Sequence, residues 1–74
     1  MSQQIINELK KLTAIAADMG HPVKLRTDAI KLIGSIGTHE ALLALLDLAA
    51  NKKLSLNERD LTLKQAREII KSGR

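Results

Sequence analysis

Seventy-four residues make one small domain, whose single core supplies only about 3–5 kcal/mol unless packing is very good or something else assists it. With no cysteine, two histidines and no Phe, Tyr or Trp, the chain can build neither a disulfide nor a Cys/His zinc site, and it cannot stack bases or sugars on aromatic rings. The net charge of +4 is unevenly placed: residues 1 to 50 carry five charges of each sign, whereas residues 51 to 74 carry seven basic and three acidic side chains.

The first predicted helix runs from Ser2 or Gln3 to Asp18. Ser2 is its expected cap, and Ile5, Leu9, Leu12, Ala16 and Met19 recur at helical spacing on one face. Glu8, Lys11 and Asp18 fall on the solvated side. Met1 to Leu12 lacks the apolar run of a signal peptide, and no 18 consecutive residues are free of charge, so a soluble, cytoplasmic protein is expected. Gly20, His21 and Pro22 end the helix, because proline disfavours helical geometry in the residue before it.

Pro22 suits the first turn of a second helix that continues to Ile36. This helix carries apolar residues on two flanks, Val23, Ile30 and Ile33 on one and Leu25, Ala29, Leu32 and Ile36 on the other, and is expected to be covered on both. Gly37 can take the left-handed conformation that closes it, and Thr38 can cap the next helix, so a tight corner is predicted between them. The third helix, His39 to Ala50, has Glu40 and Asp47 as its only charges and is expected to be largely enclosed. Ser55 with Glu58 three residues later is a capping-box pattern for a fourth helix, which runs to Ser72 and is stopped by Gly73.

A shift of 36 residues maps Ile6 on Leu42, Leu9 on Leu45, Leu12 on Leu48, Leu25 on Leu61, Ile30 on Ala66, Ile33 on Ile69 and Gly37 on Gly73. Two helical hairpins, residues 2–37 and 38–74, are thus expected to stack and share a core that neither could form alone. Leu25, Arg26, Ala29, Ile30, Leu32, Ile33, Gly34, Ile36 and Gly37, followed by Ala41, Leu42, Leu45 and Leu48, closely resemble a HEAT-like repeat of the bacterial type also found in phycobilisome lyases. The resemblance implies an all-α, right-handed pair of hairpins, a short α-solenoid. It is specific from Leu25 to Leu48; in the second unit Thr62 stands where Arg26 does and Ile70 where Gly34 does, departures that suit a terminal helix. By the same resemblance Arg26 is structural, reaching a neighbouring turn or an acidic partner; the other reading is an exposed anion contact.

Nothing in the sequence points to catalysis. His21 and His39 sit at predicted corners, Asp18 and His21 are the only close carboxylate and imidazole pair, and no nucleophile accompanies them. Gly34 and Gly37 end a helix rather than begin one, so they offer no phosphate cradle. No enzyme activity, cofactor or metal is therefore expected. Two surface features remain. Lys64, Arg67, Lys71 and Arg74 form a basic stripe on the last helix, which Lys52 and Lys53 could extend. It reads either as a solvated face favoured by the helix dipole or as a site for an acidic protein or a nucleic acid. Leu43, Leu54 and Leu61 fall outside a strict inward stripe; Leu54 and Leu61 are expected in the core, and Leu43 is open between core and partner patch. HEAT-like solenoids generally bind proteins along their second helices, so the resemblance implies a protein-interaction module with Lys24, Thr27, Asp28, Lys31, Lys64, Arg67 and Lys71 as contact residues. Nucleic-acid binding through the basic last helix is the alternative, and self-association is also open.

Overall fold

In the computed structural model, which describes residues 3–72, the chain forms four α-helices and no strand among those residues. They are α1 (Gln3–Ala17), α2 (Val23–Ile36), α3 (His39–Ala49) and α4 (Leu56–Lys71). Each corner is made by the residues whose chemistry demands it. Asp18 accepts the Gly20 amide on its carboxylate at 2.8 Å and ends α1 one residue earlier than the sequence predicts. Pro22 is not in the first turn of α2 but caps it, with an extended backbone (φ −59°, ψ 151°) and a carbonyl that accepts the Arg26 amide. Its ring fixes φ and its missing N–H is harmless at a helix start.

Gly37 closes α2 at φ 68°, ψ 14°, the left-handed conformation expected of it, and is the only described residue with positive φ. Thr38 then accepts the Ala41 amide at 3.1 Å and starts α3. A Cβ on Gly37 would meet only ordinary contacts near 3.9 Å, so the strain of Gly37→Ala is confined to its own backbone. We expect that variant to lose about 1 kcal/mol, read from a urea titration followed by circular dichroism. Stabilisation instead would mean that α2 and α3 favour one continuous helix. Ser55 and Glu58 form the anticipated capping box, each side chain bonded to the other's backbone amide. The predicted cap at Ser2, the stop at Gly73 and Arg74 of the basic stripe lie outside the described residues.

α1 packs along α2 and α3 along α4, while α2 also meets α4 and α3, and α1 touches α3. The core lies where these contacts converge, on Leu9 and Ala16 of α1, Ala29, Ile30 and Ile33 of α2, Ala41, Leu45 and Leu48 of α3, and Ala66 and Ile69 of α4, with Leu54 from the α3–α4 connection. Small residues at Ala16, Ala29, Ala41 and Ala66 allow close approach of the helix axes. Gly34 does the same between α2 and α4: a Cβ there would stand 2.0 Å from the Gln65 Oε1 and 3.1 Å from its Cβ.

Two expectations about enclosure are corrected. The two apolar flanks of α2 are not both covered, since Val23, Leu25 and Leu32 are 56%, 42% and 54% exposed. Likewise α3 is buried on one side only, with Leu43 and Leu46 exposed. Four helices offer too few neighbours to cover a second flank. Met19, placed on the inward stripe of α1 by its spacing, falls beyond the end of the helix and is exposed. Leu54 is in the core, and Leu61 is partly buried against it.

Candidate interaction surfaces

Arg26 lies in the first turn of α2, on the face turned toward α4. It is 5% exposed, and its Nε donates to Glu58 Oε2 at 2.8 Å while Nη2 donates to Glu58 Oε1 at 3.2 Å. Its Nη1 donates to the backbone carbonyl of His21. Glu58 is 3% exposed and also accepts the amide and hydroxyl of Ser55 on Oε1. One fork therefore ties α2, the α1–α2 corner and the start of α4 together. Hydrogen bonding from Arg26 holds the Glu58 carboxyl down at about 2, against the opposing effect of burial, and the Ser55 amide and hydroxyl assist. Glu58 raises the Arg26 guanidinium in turn. With every lobe of the fork turned inward, Arg26 is no anion site, in keeping with the role that the resemblance implies. The sequence marks Glu58 only as a cap; nothing local identifies it as a partner 32 residues from Arg26.

The seven residues expected to contact a partner fall into two groups. On α2, Lys24 pairs with Asp28 at 3.4 Å, and the Thr27 hydroxyl donates to the Lys24 carbonyl at 3.0 Å, so three of the four are engaged within their own helix. Lys31 is exposed. On α4, Lys64, Arg67 and Lys71 are all exposed, and the helix turns them away from its buried residues Glu58, Thr62, Ala66 and Ile69. Screening by water leaves such a stripe weak as a site on its own.

The two histidines lie beside helix ends. The His21 Nε2 is 3.5 Å from the exposed Asp18 carboxylate, and His39 is exposed at the start of α3. Among the described residues no group of three or more His, Cys, Asp or Glu is placed to hold a metal ion, and no helix is long and apolar enough to cross a membrane.

One open depression of about 460 Å³ lies between α1 and α2, lined by Glu8, Lys11, Leu12, Leu32, Ser35 and Ile36. The helical period places Leu25, Ala29, Leu32 and Ile36 along one flank of α2, but whether a flank is covered depends on neighbours the period does not contain. No protein-family model, no curated protein and no solved structure matches this chain.

Proposed function

We propose that this chain is a non-enzymatic protein-interaction module built from two HEAT-like repeats, with the helical hairpin as its unit. The order of helix packing carries this reading. First helix lies beside first helix (α1 with α3) and second beside second (α2 with α4), as stacking of two equivalent hairpins requires. The correspondence at 36 residues supports it, since Leu9 and Leu45, Ile30 and Ala66, and Ile33 and Ile69 are buried in matching pairs. The Gly37 corner and the Arg26 fork also agree with the residues on which the resemblance rests.

The face we assign to a protein partner is that of the second helices, Lys24, Thr27, Asp28 and Lys31 with Lys64, Arg67 and Lys71. Its excess of exposed cations suits an acidic partner. The same cations would serve a nucleic acid, and salt separates the two. A stripe of three exposed cations with Asp60 and Glu68 beside them is expected to retard DNA or RNA weakly, and the retardation should vanish at about 150 mM salt. Submicromolar binding to a defined duplex or single strand at that salt, lost when Lys64, Arg67 and Lys71 are replaced by glutamate, would overturn the protein-interaction reading in favour of nucleic acid.

A further inference from the structure

We draw no further inference here: the strongest candidate, the apolar surface patch of Leu12, Leu32 and Ile36 in the open depression between α1 and α2, has both Glu8 and Lys11 among its lining residues, so its charge selects no partner, and nothing in the structure shows what covers it.

Discussion

Replacing Glu58 by alanine is expected to destabilise the protein by about 3–5 kcal/mol, because it strands the Arg26 guanidinium in the interior and removes half of the cap of α4. That is comparable to the whole stability of a domain this size, so Glu58→Ala should be largely unfolded at 37 °C by circular dichroism. The loss comes from the abandoned charge rather than from an unusually strong bond. Removing both partners, as Arg26→Met with Glu58→Leu, should therefore recover most of it. A loss under about 1 kcal/mol for Glu58→Ala would mean that Arg26 finds water without effort.

The same pair predicts an acid dependence. The Glu58 carboxyl is held at about 2 in the folded state against an ordinary value of 4.5, so the unfolded chain takes up its proton first as the pH falls. The stabilisation is complete above about pH 5 and is lost progressively toward about pH 2. Urea midpoints of the wild type and of Glu58→Gln should therefore differ most near neutrality and converge over that window.

The second large effect is expected at Ile33, which is fully buried in the middle of the core. Ile33→Ala removes three carbons where α2 meets its neighbours, and we expect a loss of about 2–4 kcal/mol in a urea titration. Leu32→Ala, one position along the same helix, is the control. Leu32 is 54% exposed, so its truncation should change stability by no more than about 0.5 kcal/mol. Similar losses at both positions would mean that the face of α2 turned to the core is wrongly assigned.

The sequence by itself determined the four helices, the Gly37 corner and the caps at Thr38 and Ser55, although it places Pro22 inside the first turn of α2 rather than as its cap. These depend on short-range physics: Gly37 tolerates the positive φ it adopts, and Thr38 and Ser55 carry hydroxyls where the first amides of a helix are free. The periodic leucines and isoleucines likewise mark the inward stripes, and Ile30, Ile33, Leu45, Leu48 and Ile69 are buried as their spacing requires. The tertiary structure alone decided two things. It paired Arg26 with Glu58, because a buried charge finds its partner in space and 32 residues of sequence say nothing of that distance. It also left Leu25, Leu32, Leu46 and Ile70 uncovered. Helical period tells which residues share a flank, but burial needs a second surface, and the outer flanks of these four helices have none among the described residues.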